Sequence, residues 1–312
     1  MKLSEVADQY VTHKQSMGMR FCTEQRTLKS FCRAMGDIAI ADVGAVPVLA
    51  FIAGMGPVTR FWHTKHHVLV GFYRFAISRG YCAVSPLPTF VPKPPPVFVP
   101  YIYTHEELGR LLEATSSCEH PRSRVRAYTY RALLLLLYGA GLRISEALAL
   151  TLNDVSLSTG VIQIRESKFY KTRFVPLGPD LLNLLISYAN ERRKDHSVQP
   201  DTALFVSCSG NWMTRRVADA IFSRLRRLAG VQRYDGGRFQ PRLHDLRHSF
   251  AVHRLISWYR QGADVQRLLP QLATYLGHVH IAATQRYLTM TPELLREASK
   301  RFERYAWEET HE

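Results

Sequence analysis

Cysteine is scarce in this chain: Cys22, Cys32, Cys82, Cys118 and Cys208 form an odd set at wide intervals, with no C-x-x-C pair in 312 residues. Neither a disulfide framework nor a cysteine-based zinc site is indicated, and a reducing, cytoplasmic setting fits. Long apolar runs are missing too. The longest, Ala132–Leu142, is too short to span a bilayer, and the opening MKLSEVADQY lacks the apolar stretch of a signal peptide. No membrane partner is expected. The phosphate-cradling pattern G-x-x-x-x-G-K-[ST] is absent, as is any cluster of carboxylates suited to two-metal phosphoryl transfer. Acidic residues are the last shortage: 26 Asp and Glu stand against 41 Lys and Arg, a formal net charge of +15.

That balance favours a polyanionic partner, nucleic acid before membrane. The excess is no basic tail. Residues 1–100 carry 11 basic and 5 acidic groups and the remainder 30 and 21, so both parts are expected to touch the partner. With 46% hydrophobic and 21% charged residues the composition is globular, and the length suffices for two domains with cores of their own. The prolines mark the division. Seven of 16 fall between Pro86 and Pro100, in SPLPTFVPKPPPVFVP, a density that forbids helix and favours an extended connector. We therefore expect a helical domain over residues 1–85, a linker over 86–103 and a second domain over 104–312.

Ahead of the linker, Leu3–His13, Glu24–Met35, Val46–Ala53 and Thr59–Arg79 show helical patterning, a small bundle. Behind it, Thr104 followed by Glu106 and Glu107 opens a helix with Leu108, Leu111 and Leu112 on one face. Tyr128–Tyr138 is apolar nearly all round, as a buried central helix is, and Gly139 and Gly141 end it before Ser145 opens another. Residues 160–176 switch to strand patterning: Val161, Ile162 and Ile164, a polar turn at Ser167–Lys171, then Phe174 and Val175. Leu181–Arg192, Arg215–Ala229, Leu243–Tyr259, Val265–Leu276, Ala282–Leu288 and Pro292–Trp307 follow as helices. The expected fold class is mainly α with a small antiparallel β-sheet (α+β).

Three motifs succeed one another in the second domain: G-L-R-I-S-E (Gly141–Glu146), H-D-L-R-H (His244–His248) and L-G-H ending at His278, with Tyr287 nine residues on. Each is weak alone, but the ordered set resembles the tyrosine recombinase, or phage integrase, family, of the Xer-like or transposon type. The resemblance covers essentially the whole second domain, and the helical domain with its linker resembles the family's core-binding domain. It implies a helical core-binding domain plus an integrase-type catalytic domain.

The residues have a reading of their own. His244 and Arg247 lie three apart on a helix and share a face beside the apolar stripe Leu243, Leu246 and Phe250. Cationic heads gathered there are unfavourable until an anion arrives, and guanidinium forks suit phosphate oxygens. Arg143, at a glycine-flanked helix start, can reach the same phosphate, together with backbone N–H groups exposed there. Glu146, in the first turn of that helix, either complements the macrodipole or, as the resemblance implies, steadies the arginine and histidine of the site. The resemblance also implies that Lys168, in the turn E-S-K-F-Y-K-T-R, protonates the leaving 5′ oxygen, which an arginine could not do. Lys171 and Arg173 read as ordinary phosphate-contacting charges. One helical tyrosine among 15 is more often a packing residue than a nucleophile. The setting of Tyr287 resembles that of the family nucleophile, whose phenol attacks phosphorus to give a 3′-phosphotyrosyl ester, with His278 hydrogen-bonding a non-bridging oxygen. His248, one turn from His244, reads as structural or as support behind the site. His63, His66 and His67 in W-H-T-K-H-H lack a completing ligand and read as a solvated or DNA-facing surface, so no metal site is assigned. The last helix aligns Leu294, Leu295, Ala298, Phe302 and Tyr305 in one stripe, for docking on its own domain or on a neighbouring protomer.

The resemblance implies a site-specific recombinase or integrase that needs no ATP, metal or other cofactor. It would cut and rejoin double-stranded DNA in mobile-element integration, transposition or resolution, with both domains closing round the duplex and four protomers on two sites. With no further domain ahead of residue 1, recognition of distant arm sites is not expected. Three rivals are a type IB topoisomerase-like enzyme that relaxes DNA with the same tyrosyl chemistry, a DNA-binding regulator with vestigial motifs, and a metal-dependent nuclease, whose activity EDTA would abolish.

Overall fold

The computed structural model describes residues 1–95, 98–119, 123–165, 172–237 and 239–310, with side chains as far as Glu303. Two compact units result, Met1–Phe98 and Val99–Glu312.

In the first unit α1 (Leu3–Ser16), α2 (Cys22–Met35), α3 (Ala45–Ala53) and α4 (Arg60–Ser78) surround one apolar core. Each offers buried residues at helical spacing, such as Leu3, Val6 and Tyr10 from α1 and Leu69, Phe72 and Tyr73 from α4. Thr59 caps α4 by accepting the Trp62 N–H. The His66 ring lies flat against Trp62, centroids 5.2 Å apart, so part of W-H-T-K-H-H serves packing rather than facing solvent.

The second unit contains α5 (His105–Glu113), α6 (Ala127–Gly139), α7 (Ile144–Ala149), β1 (Val155–Ser156), β2 (Val161–Ile164), β3 (Arg173–Pro176), α8 (Pro179–Asp195), α9 (Arg215–Leu228), α10 (Leu243–Arg260), α11 (Val265–Leu276), α12 (Ala282–Gln285) and α13 (Pro292–Thr310). It is mainly α with one small sheet, as expected. A reciprocal cap starts α5: Thr104 Oγ1 accepts the Glu107 N–H and the Glu107 carboxylate accepts the Thr104 N–H. Tyr103, which the sequence places at the end of the linker, is fully buried in this unit, its N–H donating to Ser249 Oγ and its hydroxyl to the Arg242 carbonyl.

Helix α6 is the centre of the core. It packs against α8 and α10 and buries Leu133, Leu134, Leu136 and Leu137, each contributing about 1.5–3 kcal/mol relative to exposure. Gly141 follows at φ +59°, and a Cβ there would stand 2.5 Å from the Phe250 ring. Only glycine lets the chain turn into α7 this close to α10.

The sheet is antiparallel in the order β1-β2-β3, with Ile162 opposite Val175 and Ile164 opposite Arg173. Alternation puts Ile162, Ile164, Arg173 and Val175 on the inward face and leaves Phe174 66% exposed on the other. The expected turn at Ser167–Lys171 lies outside the described residues.

The long stretch between Arg247 and His278 is helical and core-forming: α10 and α11 enclose a second apolar cluster with Tyr287 and Leu294. The helix expected over Ala282–Leu288 is instead the four-residue α12 followed by a tighter turn, Arg286–Thr289, which carries Tyr287. Helix α13 packs on α10 through Leu294 and an Arg260–Glu293 ion pair of 2.6 Å, whereas Leu295 and Phe302 are exposed. Of the expected stripe, Leu294 is thus buried and Leu295 and Phe302 are not, and the Tyr305 side chain lies outside the described residues. Among the described residues no helix is long and apolar enough to cross a membrane.

Candidate active site

Glu146 organises the arginines. It stands at the third position of α7, where one carboxylate oxygen can turn back to the helix start, and Oε2 accepts the Arg143 N–H at 2.9 Å. Oε1 accepts from Arg143 Nη1 at 2.6 Å. Arg173 approaches as a fork, Nη1 to Oε1 at 3.0 Å and Nη2 to Oε2 at 2.8 Å, and Arg247 Nη1 stands 3.9 Å from Oε2. Burial by itself would raise the pKa of this carboxyl; the hydrogen bonds and charge of Arg173, then of Arg143, overrule it and hold it at about 2. Three guanidinium groups thus share one carboxylate, and the surplus of positive charge favours a further anion.

Other donors of these arginines go to carbonyls around L-G-H. Arg143 Nη2 donates to Gly277 O and Arg173 Nε to Tyr275 O, each at 3.0 Å, and Arg247 donates to Gly141 O and Leu276 O. Gly277 ends α11 at φ +67°, and a Cβ there would lie 2.8 Å from Arg173 Nη1, so the motif glycine serves both the backbone turn and the arginine against it. Arg247 is 2% exposed, and burial, followed by the charge of Arg143, lowers its pKa to about 10. Arg143 has the more open guanidinium, with 28% of its side chain exposed.

H-D-L-R-H opens α10. The buried Asp245 accepts the Arg242 N–H and guanidinium, both at 2.9 Å, which fixes the helix start. From there His244, Arg247 and His248 fall on one face. His244 meets His248 edge-on, centroids 4.8 Å apart. Burial, then the surrounding cations, lower the His244 pKa to about 4; burial and His244 bring His248 to about 3. Arg247 Nη2 donates to His278 Nε2 at 3.2 Å. A guanidinium has no acceptor, so Nε2 is the unprotonated nitrogen and Nδ1–H donates to the buried Thr284 Oγ1 at 2.7 Å. Burial and Arg247 lower the His278 pKa to about 4.

Tyr287 is 2% exposed. Its ring stacks on His278, centroids 6.2 Å apart, and its hydroxyl lies 3.1 Å from His248 Nδ1. Burial raises the phenol's pKa, and Arg247, Arg286 and Arg143 partly offset it.

One network therefore joins Arg143, Glu146, Arg247, His278 and Tyr287, with His244 at its edge through His248. Lys168 lies outside the described residues. Three sequence readings change. Arg173 is no ordinary phosphate-contacting charge but the forked partner of Glu146, a role signalled by strand alternation, which puts it on the face of Val175. The Arg143 N–H is taken by Glu146 rather than exposed to an anion. His248 touches the tyrosine hydroxyl, a contact that no local pattern displays.

Residues 102–293 match the model of the phage integrase family. A candidate integrase/recombinase of Sinorhizobium fredii is 34% identical over 301 residues, 96% of this chain and 95% of that protein. The tyrosine recombinase XerC of Oceanobacillus iheyensis is 30% identical over 275 residues, 86% of this chain and 83% of that one. A lambda integrase tetramer bound to a Holliday junction matches in structure with a TM-score of 0.66 at 16% identity, over 92% of this chain and 77% of that one, a likeness of fold.

Proposed function

The chain belongs to the phage integrase family, and from that premise we propose that it is a tyrosine site-specific recombinase that cuts and rejoins double-stranded DNA through a 3′-phosphotyrosyl intermediate. The observation that carries the site assignment is the position of the Tyr287 hydroxyl, 3.1 Å from His248, in the network where three guanidiniums share one carboxylate. A phosphodiester reaching that network meets Arg143, the open guanidinium, and Arg247 behind it. His278 and His244 donate to its non-bridging oxygens once the phosphate's charge favours protonated imidazoles. Tyr287 then attacks phosphorus, and the family pattern gives protonation of the departing 5′ oxygen to Lys168. Because the ester energy is kept in the tyrosyl link, another 5′ hydroxyl can reverse the step. Each donor aimed at the charge developing on phosphorus is worth about 10²–10³ in rate.

The relatives support mobile-element integration or resolution as the use, and the lambda integrase tetramer supports four copies of this chain on two DNA sites. The reaction takes place in the cytoplasm, where the DNA and the reduced cysteines belong. To test the reading, DNA that the protein selects from a random-sequence pool is footprinted and rebuilt as a nicked suicide duplex. The wild type is expected to form a covalent protein–DNA adduct, and Tyr287→Phe none. Binding without an adduct would make the chain a DNA-binding regulator; relaxation of supercoiled DNA without joining of two sites would make it a topoisomerase.

A further inference from the structure

The nucleophile's proton has a destination in this structure. Tyr287 Oη lies 3.1 Å from His248 Nδ1, and the charge of Arg247 favours the ionised phenol. With His248 in the tautomer that leaves Nδ1 unprotonated, the phenol hydroxyl donates to that nitrogen. An imidazole that accepts through Nδ1 carries its one proton on Nε2. His248 is kept in this neutral form by burial and by His244, Arg286, Arg247 and Arg242, which face it from α10 with its cap and from the turn after α12. His244 makes no hydrogen bond to Tyr287 among the described residues; it only borders His248 edge-on.

Resting on the recombinase reading above, we propose that His248 is the general base that takes the Tyr287 proton during strand cleavage and, as imidazolium, returns it to the departing phenolate when strands rejoin. In cleavage the Oη–P bond forms as the P–O5′ bond breaks. The phenolic proton passes to Nδ1, and the departing 5′ oxygen takes a proton from a cationic acid, the part the family pattern gives to Lys168. Joining reverses each transfer. The imidazolium formed in cleavage sits beside the negative phosphotyrosyl diester, whose charge offsets the repulsion of the arginines. His248 is thereby a catalytic residue rather than support behind the site, because it touches the reacting oxygen.

The experiment measures single-turnover adduct formation on the nicked suicide duplex for the wild type, His248→Asn and His248→Ala, with DNA affinity measured alongside. Asn leaves an amide oxygen to accept a hydrogen bond but cannot take up a proton. Both variants are expected to bind DNA within about threefold of the wild type and to cleave at least about 100-fold more slowly, the low end of general-base contributions. The second arm replaces Tyr287 by a fluorinated tyrosine of more acidic phenol in the His248→Asn background. A nucleophile that ionises unaided needs no base, so at least about tenfold of the lost rate is expected back, which a merely structural role would not produce. Wild-type cleavage rates in either variant, or a loss in His248→Asn that fluorination leaves unchanged, would overturn the assignment. Absence of an adduct from the wild type itself would instead sink the recombinase reading, and this inference with it.

Discussion

Replacing Glu146 by Gln tests the electrostatics of the whole site. The substitution preserves shape and one carbonyl acceptor but removes the only negative charge found among Arg143, Arg173 and Arg247 in the described network. A carboxyl held at about 2 in the folded chain, against 4.5 as its ordinary value, contributes about 3 kcal/mol at neutral pH, at about 1.36 kcal/mol per pH unit. The side chain is only 7% exposed, so solvent screening takes little from that figure. Leaving buried guanidiniums unpaired costs about 3–5 kcal/mol in comparable cases, a cost of the same size. Because the folded-state pKa is depressed, the wild type holds this stability above pH 4.5 and loses it as pH falls from there through about 2. Urea unfolding should therefore show Glu146→Gln about 3–5 kcal/mol less stable at pH 7, with the gap narrowing below pH 4.5. Sulfate should restore more stability to the variant than to the wild type, since an anion that binds only the folded chain stabilises it by mass action. A variant as stable as the wild type at pH 7, or a gap independent of pH, would refute the account of a shared carboxylate.

Two further outcomes follow from the same geometry. Gly277→Ala combines a left-handed backbone with a Cβ 2.8 Å from Arg173 Nη1, so it should cost about 1–3 kcal/mol from backbone strain and reduce adduct formation as Arg173 is displaced from Glu146; unchanged stability and cleavage would contradict this. His244 and His278, each at about 4 in the free protein, should rise when a phosphodiester joins them. DNA binding at pH 5–6 is then expected to take up protons and to tighten as pH falls from 7 to 5, as measured by calorimetry in buffers of different ionisation enthalpy. Binding without proton uptake would contradict that linkage.

Much of the scaffold was legible in local patterns. Helices α5 and α11 begin at Thr104 and Asp264, short polar side chains that accept a first-turn N–H, and α6 announces its central place by being apolar nearly all round. H-D-L-R-H declares its shared face because residues three and four apart on a helix always share one. Misreadings arose where local and tertiary preferences diverge. Ala282–Leu288 has the composition of one helix, yet burying Tyr287 against α10 breaks it into α12 and a tighter turn. Arg173 looked like one more cation near a polar turn, although its strand register places it inward.

From its order of residues alone the chain settles its charge, most of its helices and the spacing of its motifs, because each depends on residues within a few positions of one another. The partner of each charged group is another matter. Glu146 meets Arg173 across 27 positions and His248 meets Tyr287 across 39, distances at which no periodicity operates. Those meetings are decided by which apolar faces of α6, α10, α11 and the sheet bury one another. Packing brings the polar side chains together at short range, and only then do hydrogen bonding and burial set the charge each one carries.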